Sequence, residues 1–346
     1  MRRLVAAALG LALLSLPCPA QGAPAPAAPE KWTTKVFAKV PAPGYPAHVY
    51  KHSNGRVYAG TYKAAGSKRA SRVFEWSRGG KLLRSWDVPR QVLGGHGVQA
   101  ANQTRDGELV LLETSRAAVL TLDLDTGRFR KVARLPEGSV PNYATWGPGP
   151  ALYVTDYEKS TIWKVLPRTG RVAAWLTSDR LKGVGGFGTT GIAFRPGRRD
   201  LLVTQQTAPG VLPVNGHLYS VPIRRDGRPG RIRTLWTSRP AELPDGFGIG
   251  RSGHVYVALA GLSAQLVELT AAGREVDRFP DAPLTGDNGS PIPFDTPCNA
   301  TFDGTRVLVA NQSAIFGDAD HQAILAVEVG ERGRTPYLPD RAVFGR

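Results

Sequence analysis

The sequence predicts an all-β fold, a six-bladed β-propeller with four antiparallel strands per blade, its ring closed by an N-terminal strand. Three observations predict it. A short phrase recurs six times at intervals of about fifty residues; further short β runs separated by Gly, Pro, Asp and Ser turns follow each copy; and no segment holds a 3.6-residue apolar period. A blade buries both faces against its neighbours, so its strands read as short apolar runs.

Taken in order, residues 1–22 read as a secretory leader. Arg2 and Arg3 precede an apolar run from Leu4 to Leu16 and a small-residue cleavage site at Ala20-Gln21-Gly22. The run is too short to span a bilayer, and Pro17 before Cys18 fits a lipidation site poorly. Residues 23–31, rich in Ala and Pro, are expected to form a disordered spacer, and residues 32–346 the propeller. Export leaves Cys298 as the single cysteine, which excludes an intrachain disulfide. The segment Thr34 to Pro41 has the pattern of an outer strand but no blade of its own. It is expected to complete blade six and so pair the two ends of the chain.

The clearest copies of the phrase are Tyr45-Pro46-Ala47-His48-Val49 leading to Val57-Tyr58-Ala59, Pro141-Asn142-Tyr143-Ala144 leading to Leu152-Tyr153-Val154, and Pro244-Asp245-Gly246-Phe247 leading to Val255-Tyr256-Val257. In all three the second strand starts at an interval of 11 residues from the proline. Fainter copies open at Gly95-His96-Gly97-Val98, Thr189-Thr190-Gly191-Ile192 and Pro297-Cys298-Asn299-Ala300. The equivalent residues are then Ala47, His96, Asn142, Thr190, Asp245 and Cys298, with steps of 49, 46, 48, 55 and 53. In blade three the strands are expected at Ala144 to Gly147, Leu152 to Asp156, Thr161 to Leu166 and Arg171 to Leu176.

The net charge is +16, and +14 once Arg2 and Arg3 leave with the leader. The cations are spread over turns and outer strands, as in Arg198-Arg199 and Arg224-Arg225, with no run of five. Trp76, Trp163, Trp175 and Trp236 fall in strand patterns as packing residues. No specific nucleic-acid site is expected; weak association with an anionic cell envelope is. Secretion as a monomer acting on an extracellular small molecule is the expectation.

The innermost strands of a propeller line a central channel, so the six opening residues should converge at its mouth. The runs Pro141 to Trp146 with Leu152 to Asp156, Leu243 to Ile249, and Thr296 to Phe302 resemble the gluconolactonase and senescence-marker-protein superfamily, which includes luciferin-regenerating enzymes. The resemblance spans about residues 32 to 340. It implies a six-bladed propeller that hydrolyses lactones or small esters with a divalent cation, usually calcium. The family holds its metal with a glutamate opening blade one, asparagines opening blades three and four, and an aspartate opening blade five. By position Asn142 and Asp245 match, whereas Ala47 and Thr190 replace the glutamate and the second asparagine. A single carboxylate suits tight calcium binding poorly. His48 as a further ligand, with His96 beside it, would suit zinc.

Without metal, His96 is the candidate general base on an attacking water, with Asp245 orienting it; a hydrogen-bonded packing histidine is the plainer reading. Asn142, Thr190, Asp156 and Gln205 are candidate substrate contacts, and Asn311 belongs with the last two at the ends of second strands, where turn capping is the simpler role. Cys298 has no base placed beside it by sequence, and Gly183 to Gly188 lacks the lysine of a phosphate loop. The connection Asp281 to Pro297 is either a lid or a surface loop. Two functions stand: a secreted lactone or ester hydrolase, metal-assisted or histidine-based, and a non-catalytic propeller that binds a ligand or an envelope partner. A propeller lyase or condensing enzyme shares the architecture, but no motif asks for it.

Overall fold

The computed structural model describes residues 29–62, 69–93, 95–210, 214–315 and 317–345. The leader lies outside them, as do residues 23–28 of the Ala/Pro spacer, whereas Lys31 at the end of that expected disordered stretch is held in place by Glu268 and Asp277. Blade one comprises β2 (Pro46–Lys51), β3 (Val57–Thr61), β4 (Arg72–Trp76) and β5 (Leu82–Asp87); blade two β6 (Val98–Gln103), β7 (Leu109–Glu113), β8 (Ala118–Leu122) and β9 (Phe129–Arg134). Blade three holds β10 (Pro141–Gly147), β11 (Ala151–Asp156), β12 (Thr161–Leu166) and β13 (Arg171–Thr177); blade four β14 (Thr189–Arg195), β15 (Asp200–Gln205), β16 (His217–Pro222) and β17 (Arg233–Thr237). Blade five has β18 (Pro244–Ile249), β19 (Val255–Leu259), β20 (Gln265–Leu269) and β21 (Glu275–Phe279). In blade six, β22 (Pro297–Asp303), β23 (Arg306–Asn311) and β24 (Ala323–Glu328) are completed by β1 (Thr34–Lys39). The expected closure is therefore present: β1 pairs antiparallel with β24 from Thr34 opposite Val327 to Lys39 opposite Ala323.

Burial follows position in the blade. The second strands β3, β7 and β19 are buried along their whole length, whereas the outer strands β5 and β13 are largely exposed. The core lies between blades. Tyr50, Tyr58 and Val73 of blade one pack against Val98, Leu109 and Leu111 of blade two, and Val49 and Phe74 pack against Leu308 and Ile324 of blade six. Both faces of each sheet are thus apolar, which is why the sequence shows runs instead of alternation. Ahead of β1, Trp32 stacks on Phe279 at 5.2 Å and donates to Asp277, while Lys31 bonds Glu268 and Asp277. The start of the closing strand is thereby fastened to blade five as well as blade six.

A second fastening has no periodic signature. After β24 the chain runs across one end of the ring: Gly333 bridges to Gly250, Tyr337 packs edge-on to Phe194 at 5.0 Å, and Ala342 and Phe344 are buried beside Trp146. This strap ties blades five and six to blades two, three and four.

The first strand of every blade carries a β-bulge, and five of the bulges fall directly after the first rung. In β10, Pro141 pairs with Asp156 and the next pair is Ala144 with Val154, so Asn142 and Tyr143 together face Thr155. The same shift follows Pro46, Thr189, Pro244 and Pro297. A bulge re-aims side chains, and here it turns the repeated phrase toward the channel. Blade two differs. Val98 makes its first rung with Glu113 and the bulge comes later, between Ala100 and Asn102.

Candidate active site in the channel

The rungs define the ring of opening residues. Blades one, three, four, five and six supply Ala47, Asn142, Thr190, Asp245 and Cys298. In blade two, the residue after the first rung is Gln99. His96 lies three residues earlier, before the strand, with its ring stacked on Tyr62 at 4.6 Å. The Gly-His-Gly-Val phrase resembled the others in composition, but the displaced bulge moves the register past it.

At this end of the channel, here the upper mouth, Asp245 is held from one side. Gln206 donates to Asp245 Oδ2 at 2.9 Å, and the Tyr157 hydroxyl donates to the Gln206 carbonyl. Among the described residues, Asp245 Oδ1, Asn142 Oδ1 and both amide atoms of Gln99 are buried without a hydrogen bond of ordinary geometry, and the Tyr62 hydroxyl, buried as well, has the Asn142 side chain beside it. Buried polar atoms are nearly always paired, so a group of orphans contributed by blades two, three and five marks a place for a polar ligand. Burial raises the Asp245 carboxyl to about 8, against the opposing pull of Gln206, Tyr143, the Gly246 N–H and Thr190. Tyr62 is pushed up by burial and by the nearby Asp245, and the Cys298 thiol is raised well above its ordinary range by burial. The Cys298 sulfur donates to Thr296 O and to Gln312. Thr190 is bonded to Pro244 O and Thr204.

Tyr143, the second residue of the blade-three bulge, crosses the channel. Its hydroxyl donates to Cys298 O at 2.9 Å and Ala47 O at 3.3 Å, on blades six and one. A Cβ placed on Gly246 of blade five would lie 2.4 Å from that hydroxyl oxygen, so the tyrosine fills the bore and glycine leaves it room. Below it opens a cavity of about 590 Å3 bounded by the strap. His48 lines this lower cavity, stacked on the Tyr143 ring at 4.5 Å, with burial lowering its pKa to about 3. His48 and His96 therefore rest against different aromatic rings, one below the plug and one beside Tyr62.

The strand-end residues have other partners. Asp156 accepts from the backbone N–H groups of Val140, Glu158 and Lys159 and from Trp163 Nε1. Gln205 donates to Lys182 O and accepts from Tyr219. Asn311 accepts from Asp295 N and donates to Pro293 O and His321 O. These are turn and loop caps. The residues one step later, Tyr62, Tyr157, Gln206 and Gln312, carry the polar contacts around the ring. Strand alternation, continued one residue past each of those second strands, was the signal for them. The segment 281–297 packs through Ile292 and Phe294 into the blade-six core.

As donors for a cation, the unpartnered oxygens of Asp245, Asn142 and Gln99 are an oxygen-only set, the donor type a hard divalent ion takes, and their single carboxylate suits weak binding completed by water. Among the described residues, the one group of three or more His, Cys, Asp or Glu within ligand spacing of one another lies elsewhere, at His254, Glu268 and Glu331, whose atoms are within 4.8 Å. There Lys31 and Tyr256 already bond Glu268.

No protein-family model and no curated protein sequence matches the chain. Solved structures do match in fold. Regucalcin from Agrobacterium tumefaciens, a calcium-binding protein, is 16% identical, with a TM-score of 0.61 over 88% of this chain and 98% of that one. A gluconolactonase from Xanthomonas campestris is 17% identical, with a TM-score of 0.58 over 86% and 88%. Virginiamycin B lyase from Staphylococcus aureus is 15% identical, with a TM-score of 0.56 over 84% and 82%. At these identities the likeness is one of fold alone, and it is shared by proteins of different activity.

Proposed function

We propose that the protein is a secreted, monomeric hydrolase that opens a small lactone or ester at the upper mouth, with Asp245 as the proton-transfer group. The observation that carries this reading is the set of buried, unpartnered polar atoms on Asp245, Asn142 and Gln99. The amides of Asn142 and Gln99 and the Tyr62 hydroxyl hold the substrate's oxygens. The Asp245 carboxylate takes a proton from the water that attacks the carbonyl carbon, then returns it to the leaving alkoxide oxygen. Gln206, itself held by Tyr157, fixes the carboxyl in place. A divalent cation, calcium by the likeness to regucalcin, would be held by the oxygens of Asp245, Asn142 and Gln99 and would supply Lewis-acid polarisation of the carbonyl. The separate positions of His48 and His96 favour it over zinc.

Because Asp245 is raised to about 8, its basic form grows as pH rises through that value. Turnover of aldonolactones and aryl esters by the stripped protein is expected to climb with pH to a plateau above it. The Asp245→Asn variant is expected to lose about a hundredfold or more in kcat, the range for a proton-transfer group. A panel of lactones and esters left intact by the native protein with and without calcium, or equal turnover in the variant, would defeat the proposal. A binding role without catalysis is the second reading, favoured by Ala47 in the place of a carboxylate. Saturable lactone binding without turnover would select it.

A further inference from the structure

The lower cavity has a character of its own. Its walls include five cations, Lys51, Arg105, Arg251, Arg332 and Arg334, and no carboxylate. A chain holding 28 Asp and Glu has ample acid to neutralise such a surface. Two of the cations are in fact paired, Lys51 with Asp303 at 2.8 Å and Arg105 with Asp340 at 3.3 Å. Arg251, Arg332 and Arg334 have no ion-pair partner among the described residues. Glu331, adjacent in sequence, is turned away to Ser252 and Tyr256.

The backbone brings the three arginines together. Arg251 N donates to Arg332 O, and Arg334 N donates to Ile249 O, so the strap lies against the β18–β19 turn and both segments carry guanidiniums at the rim. The cavity is lined as well by Phe194, Phe247, Phe302 and Tyr337. Its closed end is His48 on Tyr143, and His48 is only 7% exposed with an Nδ1 that has no partner among the described residues. The cavity volume is within the range of small-molecule sites. Aromatic walls, a buried imidazole with one unpartnered nitrogen and a rim of guanidiniums outside any ion pair together describe a ligand with a flat apolar body and an anionic end.

We propose that this lower cavity is a second binding site, separate from the upper mouth, for a small aromatic anion. Its ring lies among the aromatic walls, and its carboxylate or phosphate meets Arg251, Arg332 and Arg334. Cavities lined by one sign of charge concentrate counter-ions, so the site gains on-rate as well as affinity from its arginines.

The test is calorimetric titration of the mature protein with 1-naphthoate, 1-naphthyl phosphate and the neutral 1-naphthamide, at low and high salt. At least one of the two anions is expected to bind one-to-one, to weaken with salt, and to exceed the amide by about tenfold or more. Arg251→Gln combined with Arg334→Gln is expected to remove that advantage while the melting temperature holds, because both side chains are exposed. Asp245→Asn is expected to leave the affinity unaltered, which separates this site from the hydrolytic reading of the upper mouth. Failure of both anions to bind, equal binding of the amide, or full affinity in the arginine double variant would overturn the proposal. Preference between carboxylate and phosphate identifies the natural headgroup, and either preference supports the site.

Discussion

The two ends of one channel are built from the same six inner strands and differ in almost every chemical respect. Above Tyr143 the ring positions carry one carboxyl, two amides, a hydroxyl and a thiol, with no cation, and several of their polar atoms have no partner. Below Tyr143 the lining is aromatic and cationic with no carboxylate. The first end can hold a proton or a hard cation on oxygen; the second can hold an anion. A propeller achieves this because strand direction is shared while side chains at successive rungs are independent. A single bulge residue that reaches across the bore then makes one channel into two sites.

The largest expected effect removes what both ends share. Deleting residues 31–41 takes away β1 with its Trp32 stack and leaves the edge of β24 unpaired. The melting temperature is expected to fall by roughly 10 °C or more, with loss of ligand binding at both ends. An unchanged melt would mean that the ring is held by the C-terminal strap alone.

Asp245→Asn is next, and it divides the two ends: turnover falls at the upper mouth while the lower cavity is untouched. It also carries a stability signature. A carboxyl whose folded pKa is raised from 3.8 to about 8 holds its proton more tightly when folded. Folding stability therefore declines as pH rises between those two values and is level above the upper one. The asparagine variant keeps the contact from Gln206 but cannot ionise. Relative to the native protein, its melting temperature is expected to gain several degrees at pH 9 and little at pH 4. Parallel melts of the two proteins across that window would contradict the buried-acid assignment.

A smaller effect addresses the partition itself. Tyr143→Phe keeps the ring against His48 and removes the hydroxyl contacts with Ala47 O and Cys298 O. A loss of about 1 kcal/mol per hydrogen bond is expected in denaturant unfolding, with naphthoate binding retained, while loss of the hydroxyl's pull on Asp245 moves the rise of lactone turnover to higher pH. If the two ends are one site, the change will shift lactone turnover and naphthoate affinity together.

Much of this was legible in the sequence. The recurring phrase gave five of the six rungs correctly, four of them led by proline and three of those with the same 11-residue step to the second strand. The closing strand was legible because it has an outer strand's alternation without a blade. The lower cavity was not, since its arginines lie on a turn and on a strap that is not part of the repeat. Nor were Tyr157 and Gln206, which stand one residue beyond the strand ends that composition made conspicuous, or Tyr62, which follows an inconspicuous Thr61. Asp156 and Asn311 attracted attention as polar residues at those ends and proved to be bonded within their own turns and loops.

Blade two is where sequence and rungs part, and it supplies the finest prediction. Composition put His96 in the ring; the pairing of Val98 with Glu113 puts Gln99 there, with both of its amide atoms unpartnered. A residue that contacts substrate should matter more to kcat/KM than one stacked behind a mouth tyrosine. Gln99→Ala is expected to lower kcat/KM by about tenfold, the worth of one or two hydrogen bonds. His96→Ala is expected to cost less than about threefold, through loosening of Tyr62. The opposite ranking would return the histidine to the role of general base. It would also mean that Tyr62 moves aside when substrate enters, so that the upper mouth in its working state is wider than the ring of six.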